Sequence, residues 1–264
     1  MRVRTAGSRR TVGGSPRYVT SISKTQTDRL GDRLRKEKVG DDELRQLDDF
    51  RRSFAGAYEE VVAVVRTVAH LEPTGRPAKS TTSIIEKLRR ETIRLSQMQD
   101  IAGCRLVVRD VAAQDSAVAQ LKVRLPGAVV VDRRKQPSHG YRAVHIIATA
   151  KGKPVEIQVR TELQHLWAQL SEKFSDVLDP AIKYGGGNAE TQAAMSKIAG
   201  GIAELEALEL KLPDLEHLQK DSPELQQRQK LEAEALVSTK KVFRRVLEET
   251  LANLEALSRK QAGD

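Results

Sequence analysis

Residues 132–173 read DRRKQPSHGYRAVHIIATAKGKPVEIQVRTELQHLWAQLSEK, and the fold is decided there. Two apolar runs of strand length, Tyr141 to Thr149 and Pro154 to Arg160, flank Ala150-Lys151-Gly152-Lys153, a spacing that predicts a β-hairpin. Along the second run Glu156, Gln158 and Arg160 alternate with Val155, Ile157 and Val159. Successive side chains of a strand point to opposite faces, so the apolar set is a core face and the polar set is left for chemistry. The segment that follows is read as a helix carrying His165, Glu172, Lys173 and the single tryptophan, Trp167.

Working outward, DIAGCRLVVRD (100–110) predicts a strand from Gly103 to Val108 with Asp100 just ahead of it. Gln114 to Leu125 is expected as a helix, Ala128 to Val131 as a strand, and 132–140 as a basic loop. Farther back, Leu44, Leu47, Phe50, Phe54, Tyr58, Val61, Val65 and Val68 recur at three and four, the pattern of one long amphipathic helix that ends before Pro73-Thr74-Gly75. Ser80 to Thr82 offer the N-cap of another helix. On it Lys79, Ser83 and Lys87, spaced by four, line one face near the N-terminus, where the dipole favours anions. Beyond Tyr184-Gly185-Gly186-Gly187 the chain reads as helical, with breaks near Pro213 and Pro223, and Leu231 to Leu257 has the spacing of a packing or self-association arm.

A chain of 264 residues with 39% hydrophobic content can bury a sizeable core. Its apolar runs fall far short of the ~20 residues a spanning helix needs, and the basic N-terminus lacks the apolar stretch of a secretory signal. One cysteine, Cys104, cannot form an internal disulfide and sits in an apolar run, as a packing thiol does. A cytoplasmic protein with no membrane partner is therefore expected. The net charge is +9, and it is uneven: residues 1–40 carry eleven Lys/Arg against three Asp/Glu, 41–188 twenty-three against nineteen, and the remainder eleven against fourteen. That bias favours phosphate-rich partners such as nucleotides or RNA. Residues 1–40 are read as a basic, largely disordered arm, 41–187 as the main domain, and 188–264 as a helical extension.

Asp100 beside one strand and Glu156 within another can meet across a sheet and hold Mg²⁺, which takes one or two carboxylates and lets substrate phosphates complete its shell. Around them Lys79, Lys87, Arg105, Arg133, Arg134 and Arg160 would neutralise charge on a transferring phosphate group. Tyr141 offers an aromatic face for a base. No Cys/His spacing suits zinc, and no G-x-S-x-G or G-x-G-x-x-G occurs. The glycine spacing of a P-loop is absent around Lys79-Ser80.

In the order KSTTSIIEK (79–87), DIAGCRLVV (100–108), HGYRAVH (139–145), EIQVRT (156–161) and HLWAQLSEK (165–173), the chain resembles the synthetase domain of the RelA/SpoT family, the alarmone synthetases. The resemblance implies an α/β (α+β) fold, a mixed central sheet of nucleotidyltransferase-like type flanked by helices. It implies Mg²⁺-dependent transfer of pyrophosphate from ATP to the 3′-hydroxyl of GDP or GTP, giving (p)ppGpp and AMP. By position, Asp100 and Glu156 would be the catalytic, metal-binding carboxylates. Lys79, Ser83, Lys87 and Arg105 would bind ATP, Tyr141 would stack on the acceptor base, and His145, Gln158 and Arg160 would line the acceptor side. The chain departs from the family where Arg76 stands one residue further from Lys79 than in the usual Arg-x-Lys, and where Leu170-Ser171-Glu172-Lys173 replaces Leu-Glu-His-Lys. With no His-Asp pair ahead of the first helix, a short, synthetase-only member is expected. Some short members are toxins that pyrophosphorylate the 3′-terminal adenosine of tRNA, an alternative that brings tRNA as acceptor and an antitoxin as partner. An inactive nucleotide- or RNA-binding module is a third reading, disfavoured by the presence of both carboxylates. Oligomers are frequent in the family, so self-association through the C-terminal helices is a further expectation.

Overall fold

The computed structural model describes residues 23–36, 38–69, 72–212 and 223–262. The strands are β1 (Thr74–Arg76), β2 (Ala102–Val108), β3 (Val129–Asp132), β4 (Val144–Ala150) and β5 (Lys153–Thr161). They form one mixed sheet in the order β1-β2-β5-β4-β3, with β2 and β5 parallel and the other neighbours antiparallel. The β4–β5 hairpin closes at Ala150 opposite Lys153. That leaves Lys151 (φ 47°) and Gly152 (φ 71°) as a two-residue turn with both positions left-handed, the geometry whose twist matches a hairpin.

The expected alternation along β5 holds: Val155, Ile157 and Val159 are fully buried. With Leu106, Ile146 and Ala148 they pack against α3 (Ala55–Ala69) and α5 (Val111–Arg124) through Val61, Val65 and Leu121. Residues in register on the other face are Gly103, Arg105, His145, Glu156 and Gln158. A second core joins α1 (Lys24–Leu34), α2 (Asp41–Arg52) and α4 (Thr81–Arg90) around Leu30, Leu47, Phe50, Ile84 and Leu88. A third joins α6 (Glu162–Val177), α7 (Ala189–Lys211) and α8 (Pro223–Ala262) around Trp167, Leu170, Met195, Ile202 and Leu247. Among the described residues no helix is long and apolar enough to cross a membrane.

The structure corrects several expectations. The long helix from Asp41 is two helices, because Ser53 turns the chain: its hydroxyl donates to the Phe50 carbonyl (2.6 Å) and Phe54 N–H reaches back only to Arg51. The periodicity continues across the break because Phe50 and Phe54 still meet edge to face at 5.2 Å. The arm drawn as 1–40 contains α1, capped by Ser23 and anchored by fully buried Leu30 and Leu34; the unstructured reading of residues 1–20 lies outside the described residues. Helix α5 starts at Val111, earlier than Gln114, because the Asp110 side chain caps it at Ala113 N–H. Within the breaker cluster Pro73-Thr74-Gly75, Thr74 and Gly75 join Arg76 in pairing with β2 as an edge strand. Pro223 opens α8 instead of interrupting a helix, as its fixed φ and missing N–H permit at a first position, and Pro213 lies outside the described residues. Finally, Tyr141 precedes β4 rather than belonging to it.

Candidate active site

Helix α4 and the approach to β2 build one wall. Ser80 caps α4 by accepting from Ser83 N–H (3.2 Å), and its hydroxyl donates to Ser83 Oγ (2.8 Å). Lys79 is fixed on both sides of its backbone, its N–H donating to Ile101 (2.6 Å) and its carbonyl accepting from Arg51 Nε (2.6 Å). From there Lys79 Nζ reaches Asp100 Oδ2 at 2.8 Å, and Lys87 Nζ, two turns along α4, reaches Oδ1 at 3.0 Å. Burial alone would raise the Asp100 carboxyl, but the two ammonium groups outweigh it and hold it at about 2. Asp100 is therefore ionised throughout the physiological range.

The second wall is β5. Glu156 Oε1 meets His145 Nδ1 at 2.8 Å, and Oε2 accepts from Gln158 Nε2 at 2.7 Å. Burial pushes this carboxyl up, and the His145 and Gln158 hydrogen bonds overcome that and leave it below the usual range. Arg160, only 4% exposed, donates from Nη2 to Gln158 Oε1 (2.8 Å) and to the Tyr141 hydroxyl (3.0 Å). Tyr141 Oη lies 2.9 Å from His145 Nε2. The five side chains thus close a ring: Glu156, Gln158, Arg160, Tyr141, His145 and back to Glu156. An ionised carboxylate only accepts, so Nδ1 of His145 carries a proton; in the neutral ring Nε2 then accepts from Tyr141, whose oxygen accepts from Arg160.

Tyr141 comes to this ring by a route the sequence did not reveal. Read as two residues of one strand, Tyr141 and His145 would share a face by being four apart. Instead Ser138 and Tyr141 form an isolated two-residue turn, Tyr141 N–H donating to the Ser138 carbonyl at 2.9 Å, with His139 (φ 50°) and Gly140 (φ 86°) both left-handed. A Cβ at Gly140 would sit 2.9 Å from the Trp167 ring, so the loop is pressed against α6. Gly103 matters as directly. A Cβ there would lie 2.6 Å from the Glu156 carbonyl oxygen, so its absence lets β2 close on β5 beside the two carboxylates.

The cleft has two adjoining lobes. One, about 450 Å³, is lined by Arg76, Lys79, Arg105 and Glu172; the other, about 360 Å³, by Lys87, Arg133, Tyr141 and His145. Asp100, Glu156, Gln158 and Arg160 line both. The first lobe gathers four cations, Arg76, Lys79, Arg105 and Arg160, against the carboxylates of Asp100, Glu156 and Glu172. Arg105 Nε and Arg160 Nε are buried without a hydrogen-bond partner, as is His165 Nδ1. Burial and then the neighbouring Arg160 push the Arg105 guanidinium below its ordinary value. His165 is driven down to about 4 by burial and by Arg105 and Arg160, so it is neutral at pH 7. Buried guanidinium groups with a free N–H beside an open cleft suit phosphate.

Most of the residues singled out from sequence meet here; Ser83 and Arg134 do not, and Lys87 does so from the other side. Ser83 is engaged in the α4 cap. Arg134 is committed elsewhere, to Asp132 (2.9 Å) and Asp115 (2.8 Å), and holds the base of the loop. Lys87, grouped by sequence with the Lys79 side, opens into the Tyr141 lobe. Sequence reasoning noted the displaced Arg76, which lines the first lobe, without giving it a role, and missed Gln97 and Gln99, which line the second lobe without any motif to signal them. As a metal site the cleft offers two ionised carboxylates; among the described residues no three His, Cys, Asp or Glu side chains gather to hold an ion. Two hard oxygen donors beside a phosphate-binding wall suit Mg²⁺, whose remaining positions are filled by phosphate and water.

Residues 75–175 match the family described as the region found in RelA/SpoT proteins. An uncharacterized protein of Mycobacterium tuberculosis and one of Mycobacterium bovis are each 37% identical over 111 residues, 40% of this chain and 41% of the relative. The match thus spans less than half the length of these curated relatives. Among solved structures, the small alarmone synthetase 1 from Bacillus subtilis has a TM-score of 0.51 at 24% identity, covering 63% of this chain and 95% of that one; it is also known bound to its product pppGpp. A Streptococcus mutans UA159 protein, smu.1046c, gives 0.50 at 24% identity with the same coverage. These likenesses show a common fold.

Proposed function

We propose, from the premise that residues 75–175 form a domain of the RelA/SpoT type, that this chain moves pyrophosphate from ATP to the 3′-hydroxyl of GDP or GTP, giving (p)ppGpp and AMP in the cytoplasm. The observation that carries the reading is the pair of lobes sharing a wall of Asp100, Glu156, Gln158 and Arg160. A two-substrate transfer needs that arrangement, donor on one side, acceptor on the other, and the reacting groups between. Lys79 and Arg105 suit the donor phosphates, the guanidinium with its unpaired Nε above all. Tyr141, with His145 behind it, suits the acceptor base. Asp100 and Glu156 would hold Mg²⁺, which would offset charge on the transferring group.

The chemistry asked of the chain itself is modest. As the acceptor 3′-oxygen bonds to the β-phosphorus, the bond to the α–β bridging oxygen breaks and AMP departs as an anion needing no acid. The 3′-hydroxyl proton passes to Glu156, whose depressed titration makes it a weak base. That suffices when the transition state is loose and the nucleophile's proton leaves late.

The tRNA acceptor gains little from the end of α4, because Arg90, which would suit an RNA backbone, lies 3.8 Å over the Tyr184 ring and pairs with Glu91. The test is transfer from ATP labelled on its β and γ phosphates, with Mg²⁺ and GDP, GTP or tRNA in separate reactions and Glu156→Gln as control. Label on the guanine nucleotide is expected. Label on tRNA alone would overturn the acceptor, and none anywhere would overturn the enzyme.

A further inference from the structure

We propose that Glu206, on α7 and outside the matched region, is a positioning residue for the acceptor lobe; this rests on the acceptor reading above. Glu206 is 3% exposed, and both carboxylate oxygens are used. Oε1 accepts from Thr161 Oγ1 (2.9 Å) and Gln164 Nε2 (2.7 Å), at the junction of β5 and α6. Oε2 pairs with Arg142 Nη2 at 3.3 Å, and Arg142 Nη1 donates to the Arg134 carbonyl at 2.9 Å. Arg134 and Arg142 adjoin in sequence the two loop residues that line the acceptor lobe, Arg133 and Tyr141. A buried carboxylate on α7 thus acts through one guanidinium on both ends of the loop that faces the acceptor.

A second contact from the same helix supports the loop. A Cβ at Gly140 would meet Ala199 Cβ at 3.0 Å, so α7 lies directly beneath the left-handed turn that presents Tyr141. Glu206 touches neither lobe, since Arg142 stands between. The donor lobe shares Glu156, Gln158 and Arg160 of β5, but the rest of its lining comes from β1, β2, the approach to α4 and Glu172 of α6, and not from the loop that Arg142 holds. Releasing Arg142 should therefore loosen acceptor binding and spare the donor, a split that general destabilisation would not produce.

The experiment is calorimetric titration of the full chain with α,β-methylene ATP, then with GDP, or with tRNA in its place, in the presence of that analogue. Wild type, Glu206→Gln and Arg142→Met are compared. Trp167, whose ring centroid is 6.4 Å from that of Tyr141, reports the loop by fluorescence. Glu206→Gln keeps an acceptor for Thr161 and removes the negative charge that pairs with Arg142. About a tenfold loss of GDP affinity is expected, the size a hydrogen bond to a charged group can carry, with analogue affinity unchanged and a shifted Trp167 emission. Equal losses for both nucleotides, or an unchanged GDP affinity, would overturn the assignment. Should Glu206→Gln fail to fold, Arg142→Met decides by the same criterion. A wild type that binds neither GDP nor tRNA would sink the acceptor reading and the assignment with it, a failure visible before any variant is compared.

Discussion

Asp100→Asn separates what the carboxylate does for the fold from what it does for the reaction. The carboxyl titrates at about 2 in the folded chain, against 3.8 without its neighbours, so its ionised form is favoured by about 2.5 kcal/mol. Its exposure of 16%, with 12% and 22% for Lys79 and Lys87, leaves little solvent to screen the pairs. A depressed carboxyl contributes stability that is complete above pH 3.8 and lost as the pH falls through about 2. Urea unfolding should therefore place Asp100→Asn about 2 kcal/mol below wild type at pH 7, with the gap narrowing only below pH 4. Substrate binding should move the opposite way. The freed ammonium groups of Lys79 and Lys87 should bind metal-free ATP more tightly, roughly tenfold or 1.4 kcal/mol, while transfer is abolished. Equal stability at pH 7, or weaker binding of metal-free ATP, would refute the ion-pair account.

Glu156→Gln keeps the shape of the side chain and removes its charge; transfer should fall at least a thousandfold, roughly the loss of one transition-state electrostatic contact, with the melting profile near wild type, and a rate within about tenfold of wild type would remove Glu156 from the reacting centre. Tyr141→Phe keeps the ring but withdraws the hydroxyl from His145 and Arg160; about 1 kcal/mol of stability should be lost with a modest rise in acceptor KM, whereas Tyr141→Ala should raise that KM far more and leave the KM for ATP in place. His165 titrates at about 4 against an ordinary 6.5, so the unfolded chain takes up a proton that the folded chain refuses, and stability should fall as pH drops from 6.5 to 4. His165→Asn should flatten that part of the profile in urea midpoints measured across the window; an unchanged slope would place the titration elsewhere.

How much of this was legible in sequence depends on how far apart the partners lie. Alternation along 154–161 marked both the core face and the reactive face of β5, and the Lys-Gly turn fixed the hairpin, because each is a local constraint. The Ser80 cap was equally plain. Tyr141 does face the cleft, but not as a strand neighbour of His145, since spacing within a strand says nothing about a left-handed His139-Gly140 turn. The break at Ser53 escaped notice because apolar spacing survives a one-turn interruption when both helices face the same core. Arg76 was noted for its spacing from Lys79, but the three-residue edge strand that carries it leaves no period to find. Glu206 lies 64 residues from Arg142, and no local pattern can announce such a pair.

The support of the cleft is divided between elements in a way that bears on how its two substrates are read. Lys79 is held by its backbone to Ile101 and Arg51, so the donor lobe inherits the rigidity of the α2–α4 core and the β1–β2 edge. The acceptor lobe takes its wall from β4 and β5 but its loop from α6 and α7, through Trp167 beneath Gly140 and Glu206 beneath Arg142. Only β5, buried on its apolar face and carrying Glu156, Gln158 and Arg160 on the other, belongs to both. Because the hydrogen-bond ring joins Tyr141 to Glu156 through His145, an acceptor base that shifts Tyr141 also changes the hold on the carboxylate that must meet its 3′-hydroxyl. On the proposed reading, recognition of the acceptor and readiness of the carboxylate are one event, and the donor meets it through Glu156, Gln158 and Arg160, which line its lobe as well.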